Sequence, residues 1–129
     1  MATAARPRIL VVDDDLTIRT TFANILDGEG YEVTAVPDGT EAVQIAARQP
    51  FDAVLLDLFM PEMDGITALR YLRSLVPEAA VVIMSAYVEP EREAEAFRLG
   101  AAAVVAKPPD LDQLLGYFRT LTHRSQSSA

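Results

Sequence analysis

The sequence predicts an α/β domain: a doubly wound parallel sheet of five strands with helices on both faces. Three observations predict it. Short apolar runs alternate with helical patterns five times along the chain. The first, third and fourth runs are unbroken apolar stretches, as expected of strands covered on both sides. Asp13, Asp14, Asp57, Ser85 and Lys107 stand at or just beyond the ends of these runs, where open doubly wound sheets hold their ligands.

Each element has its own signal. Ile9-Leu10-Val11-Val12 is the first strand, and Ile18, Phe22, Ile25 and Leu26 mark the buried side of the following helix, which Gly28 and Gly30 end. Residues 31–36 alternate as a weaker second strand. Asp38-Gly39-Thr40 is a turn, with Thr40 the expected N-cap of a helix over 41–48 that Pro50 closes. Residues 53–56 are a continuous apolar strand. Met63-Asp64-Gly65 turns into a helix with Ile66, Leu69, Leu72 and Leu75 inward, stopped at Pro77. Residues 80–84 form the fourth strand. Pro90 suits the first turn of a helix running to Leu99, with Gly100 as its C-terminal cap. Residues 101–106 are a small-residue strand. Asp110 caps a last helix with Leu111, Leu114, Leu115, Phe118 and Leu121 as its buried stripe, and the polar end at 124–129 is expected to fray.

A chain of 129 residues with half its residues hydrophobic is long enough for one self-sufficient domain. Its net charge of −8 would repel a phosphate backbone, which argues against direct nucleic-acid binding. There is no cysteine, so disulfides, thiolate metal sites and cysteine nucleophiles are excluded. No stretch reads as a membrane span, and residues 1–8 lack the apolar segment of a signal peptide, so the expected location is the cytoplasm.

A carboxylate at the end of a buried strand is expensive unless it has a partner. Asp13 and Asp14 after one strand and Asp57 after another would gather three such groups. Either one of them protonates or a divalent cation settles among them. Oxygen-only ligands favour a hard ion, and few carboxylates suit Mg²⁺. A carboxylate in such a site can act as a nucleophile on phosphorus, with Lys107 and Ser85 available to neutralise and hydrogen-bond the phosphoryl oxygens.

These residues fall in a known pattern. Val11-Val12-Asp13-Asp14-Asp15, Asp57 to Gly65 (Asp-Leu-Phe-Met-Pro-Glu-Met-Asp-Gly), Met84-Ser85-Ala86, Gly100-Ala101 and Lys107-Pro108 occur in order and at the right spacing. Over residues 7–121, with 1–6 and 122–129 as flexible ends, the chain resembles the receiver domain of two-component response regulators. The resemblance implies a flavodoxin-like (βα)5 fold with strand order 2-1-3-4-5. It implies that Asp57 accepts a phosphoryl group from the phosphohistidine of a sensor histidine kinase or a histidine phosphotransfer protein. Asp14 would be the main direct Mg²⁺ ligand, Asp13 would assist, and the backbone carbonyl of Phe59 would complete the protein's share. Lys107 would pair with Asp57 across a cis Lys-Pro bond, and Ser85 would turn toward the phosphoryl group. Output would pass to a protein partner or output domain through the fourth helix, fifth strand and fifth helix. Such a domain assists its own phosphorylation and dephosphorylation without being an enzyme on outside substrates.

Three positions depart from the family pattern. Val104 stands where a switch aromatic is usual, and a stiff valine lacks that lever. Tyr87 is the candidate substitute. Pro109 follows Pro108 and should stiffen the loop into the last helix. Phe59 and Tyr87 flank the nucleophile and should impede an attacking water, giving a long-lived phospho-Asp57.

Plainer readings stand beside these. Asp15 is expected as a helix cap, Asp64 as turn chemistry and Asp52 as a solvent-facing residue at the far end of the third strand. Glu89, Glu91, Glu93 and Glu95 read as a solvated helix face, and His123, beside the polar tail, as neither ligand nor phosphocarrier. Two rival functions remain in view. A phosphatase of the haloacid-dehalogenase type would use Asp13, Asp15 and Thr17, but leaves the segment from Asp57 to Gly65 unexplained. A receiver-like interaction module acting without phosphorylation would fit Val104, but leaves the intact acidic set without purpose.

Overall fold

Five parallel strands are ordered β2-β1-β3-β4-β5 in the computed structural model, which describes residues 6–58, 63–86 and 89–127, with backbone alone for 123–127. In chain order the elements are β1 (Arg8–Val12), α1 (Leu16–Gly28), β2 (Glu32–Val36), α2 (Gly39–Ala46), β3 (Ala53–Asp57), α3 (Gly65–Leu75), β4 (Ala80–Ser85), α4 (Pro90–Arg98), β5 (Ala103–Ala106) and α5 (Leu111–Ser127). The predicted fold class and strand order are both observed.

Strand side chains alternate between two cores, as the period of two requires. Leu10, Val12, Val54, Leu56, Val81 and Ile83 pack with residues of α2, α3 and α4. Ile9, Val11, Leu55, Val82 and Met84 pack on the other face with Phe22 and Leu26 of α1 and Leu114 and Phe118 of α5. From Ile9 to Val12 and from Ala53 to Leu56, β1 and β3 are thus apolar on both sides, which is why their sequences show no alternation.

Helix starts are set by aspartate caps. Asp15 accepts from Ile18 N at 3.1 Å, Asp64 from Thr67 N at 2.9 Å and Asp110 from Gln113 N at 3.1 Å, as expected. At α2 the expected Thr40 cap is replaced by Asp38, whose backbone is extended and whose carboxylate accepts from Glu41 N at 2.8 Å. Thr40 lies inside the first turn and is exposed. Gly30 and Gly100, after α1 and α4, have φ of 97° and 103°, a backbone region that side chains disfavour.

Other differences are small and local. β5 opens at Ala103, because Ala101 N still bonds to Ala96 O in the turn leaving α4. Leu111 is exposed at the head of α5 rather than part of its buried stripe. α5 continues to Ser127, and Arg6 clamps the α1–β2 turn by donating to Gly30 O (3.1 Å), Asp27 O (3.1 Å), Asp27 Oδ1 (3.0 Å) and Tyr31 O. Among the described residues, no helix is long and apolar enough to cross a membrane.

Candidate functional site: an acidic rim at the strand ends

The register of the sheet assembles the site. β1 and β3 pair with Val12 opposite Leu56, so Asp13 and Asp57 emerge side by side. Asp57 is opposite Met84, which puts Ser85 one residue further along β4. Ser85 is opposite Ala106, which puts Lys107 one residue further along β5. The sheet reverses its winding between β1 and β3, so the site sits at the topological switch point.

Asp13 and Ser85 are fully buried and Asp57 nearly so, while Asp14 is exposed. Asp13, Asp14 and Asp57 can each offer a ligand atom, all within 4.8 Å of one another. Lys107 reaches between two of them, with Nζ 2.9 Å from Asp57 Oδ2 and 2.7 Å from Asp13 Oδ2. The sequence reading paired Lys107 with Asp57 alone; it bridges both acids. Burial works to lower the Lys107 pKa, but its contacts with the carboxylates of Asp13 and Asp57 outweigh burial and hold it above its ordinary value. The Lys107–Pro108 bond is cis.

Asp13 is held at its backbone and at one carboxylate oxygen. Its backbone N donates to Val36 O (3.2 Å), its Oδ1 accepts from Asp15 N (2.9 Å), and its backbone O accepts from Arg19 Nη1 (2.8 Å). Its buried Oδ2 has the ion-pair contact with Lys107 but no aligned hydrogen bond. A buried carboxylate oxygen left so lightly satisfied, beside two further carboxylates of which one opens to solvent, suits a hard cation with retained waters. The donor set therefore fits a divalent metal.

The start of α3 lies close against the end of β3. Gly65 N donates to Leu58 O at 2.9 Å, and a Cβ on Gly65 would lie 2.4 Å from Leu58 Cα and 2.8 Å from Asp57 O. Only glycine allows α3 to begin this close to the end of β3 at Asp57. Phe59, whose carbonyl was expected among the metal ligands, and Tyr87 lie outside the described residues.

Several other expectations are settled here. Asp15 caps α1, and Asp15 and Thr17 are both exposed, so the aspartate pair of a haloacid-dehalogenase site is not assembled. Asp52 is half-buried rather than solvent-facing, because it accepts from Arg8 N at 2.8 Å. Val104 is half-buried and packed against the core on the α2–α3–α4 face. Glu91 and Glu95 share the groove between α3 and α4 with Arg70, Arg92 and Arg98, so that face is of mixed charge. Arg19 was missed: an arginine one turn into a helix carries no sequence signal that distinguishes a backbone anchor from a solvated charge.

The fold and this rim define a parallel α/β domain with a cluster of carboxylates at its switch point. The chain belongs to the response regulator receiver domain family of two-component signalling, whose model matches residues 9–119. It is 42% identical over 106 residues to the transcriptional regulatory protein ZraR of Escherichia coli K12, covering 82% of this chain and 24% of that protein. The chain spans about a quarter of the length of the curated relatives it matches at this level. A CheY-like receiver domain from Methanospirillum hungatei superposes with a TM-score of 0.92 at 27% identity, covering 97% of this chain and all (100%) of the other. A Burkholderia pseudomallei response regulator, solved with a phosphorylated aspartic acid, calcium ion and citrate, superposes with a TM-score of 0.84 at 25% identity, covering 95% of this chain and 72% of the other.

Proposed function

We propose that residues 7–121 act as a phosphoacceptor switch in which Asp57 takes a phosphoryl group from the phosphohistidine of a sensor kinase or histidine phosphotransfer protein. The observation that carries this reading is the gathering of Asp57, Asp13 and Asp14 within ligand distance of one another, with Lys107 2.9 Å from the acceptor. An Asp57 carboxylate oxygen forms a bond to phosphorus as the phosphorus–nitrogen bond to histidine breaks. Asp13, Asp14, Asp57 and the Phe59 carbonyl would hold Mg²⁺, which when bound supplies positive charge for the phosphoryl oxygens. Lys107, already charged and in contact with Asp57, follows the new negative charge. Ser85, buried at the neighbouring strand end, offers a hydroxyl to the phosphoryl group. The phosphorylated domain aspartate of the Burkholderia relative supports the same chemistry here.

The altered state is read by a protein partner or output domain through α4, β5 and α5, without direct nucleic-acid contact by this acidic domain, in the cytoplasm. The domain assists its own dephosphorylation, slowly if Phe59 and Tyr87 hinder water; Phe59→Asn then shortens the lifetime of the adduct.

The test is incubation with a small phosphodonor and Mg²⁺, read by intact mass and gel filtration. One phosphoryl adduct is expected on the wild type and none on Asp57→Ala. An adduct that survives Asp57→Ala would overturn the reading.

A further inference from the structure

Arg19 takes no part in the chemistry just described, yet it touches the acidic turn. Its guanidinium reaches back from α1 to the carbonyl of Asp13 at 2.8 Å, while its own backbone N bonds to Asp15 O at 3.0 Å. The side chain is half-buried, so this is not a solvent-exposed arginine in passing contact. Asp13 is thereby held from three directions: β2 through Val36 O, the turn itself through Asp15 N, and α1 through Arg19. Beyond the Lys107 contact at the carboxylate, only the last of these comes from a side chain, and it grips the backbone carbonyl, so removing it tests the position of the turn without removing a ligand atom.

We propose that Arg19 is a positioning residue for the acidic site, tying the carbonyl of Asp13 to α1 and so fixing the turn on which the Asp13 and Asp14 carboxylates stand. The inference rests on the metal reading above and extends it to a residue that contributes no ligand. Asp14 is exposed and lies between Asp13 and the capping Asp15. Its direction depends on how rigidly its two neighbours are held. Asp15 is held by its cap bond to Ile18 N, and Arg19 does the same for Asp13.

Charge and position make opposite predictions for this residue, which makes the idea testable. A cation beside an acidic site repels a metal, so loss of Arg19 through charge alone would tighten Mg²⁺ binding. If Arg19 positions the turn, its loss weakens binding. Residues that orient metal ligands typically matter by about 10- to 100-fold in affinity.

The experiment is Mg²⁺ titration by calorimetry on the full chain, for wild type, Arg19→Met and Arg19→Lys, with thermal melts in chelator alongside. Arg19→Met is expected to raise the Mg²⁺ Kd about 10-fold at a temperature where the melts show it folded. Arg19→Lys, which keeps the charge and a donor, is expected to recover most of that loss. If Arg19→Met is too unstable to titrate, Arg19→Gln replaces it with the same expected direction. A Kd that is unchanged or tighter in the neutral variant, with or without a lower melting temperature, overturns the role of Arg19. Absence of Mg²⁺ binding to the wild type would instead overturn the metal reading itself.

Discussion

β3 carries an aspartate beside each of its ends, and the two live in opposite circumstances. Asp52, at the entry, accepts from the Arg8 N–H at 2.8 Å, and its backbone bonds to both neighbouring segments: its N donates to Arg8 O at 2.8 Å and its O accepts from Ala80 N at 3.1 Å. Asp57, at the exit, shares one ammonium with Asp13 and has Asp14 within reach. At the entry the carboxylate completes a hydrogen-bond ladder. At the exit, among the described residues, the acids outnumber the cations, and under the function proposed above a metal ion would offset that surplus. One residue type thus serves as a structural pin at one end of the strand and is proposed as the reactive group at the other, and the neighbours decide which.

The largest expected effect separates the two ends outright. Asp57→Ala abolishes the phosphoryl adduct, whereas Asp52→Ala leaves it intact by mass; loss of the adduct in Asp52→Ala would show that the two ends are not separate. Next is Gly65→Ala, where the new methyl meets Leu58 Cα and Asp57 O rather than a movable side chain. A loss of about 3 kcal/mol in urea unfolding is expected, the upper end for overpacking, with slower phosphorylation because the strain falls on Asp57. Asp52→Ala removes the acceptor of the Arg8 N–H and is expected to lower stability by about 1–2 kcal/mol in chelator.

The lysine at the exit gives a pH signature. The Lys107 pKa is raised in the folded state, burial being outweighed by Asp13 and Asp57. Its contribution is therefore complete below the unfolded lysine value of about 10.4 and disappears as pH rises through the higher folded value. The difference in urea midpoint between wild type and Lys107→Met should be flat at neutral pH and shrink only in strong alkali; a difference that changes between about pH 7 and 9 would contradict the shift. The smallest effect expected lies far from either end of β3. A Cβ on Gly116 in α5 meets nothing within 4 Å, so Gly116→Ala should add about 0.5–1 kcal/mol and leave phosphorylation unchanged.

Much of this was legible in the chain. The unbroken apolar runs of β1, β3 and β4 and the stripes of α1, α3 and α5 follow from burial on two faces or one, which is a local pattern. Asp15, Asp64 and Asp110 were readable as caps because a cap acts within three residues. Where two residues competed within one turn, at Asp38 and Thr40, the choice depended on backbone geometry that composition does not encode. The acidic set was legible because each member follows its own strand directly, and parallel strands bring their ends to one rim.

What the sequence by itself determined, then, is the alternation of elements, the class of sheet, and the presence of carboxylates, a hydroxyl and an amine at strand ends, all consequences of local period and residue type. Only the tertiary structure decided that Lys107 bridges Asp13 as well as Asp57, that Asp52 turns inward to Arg8, and that Arg19 reaches the carbonyl of Asp13. Those facts depend on distances between side chains and backbone brought together by packing, fifty positions apart in the case of Lys107 and Asp57 and further still for Lys107 and Asp13, and no local pattern carries them.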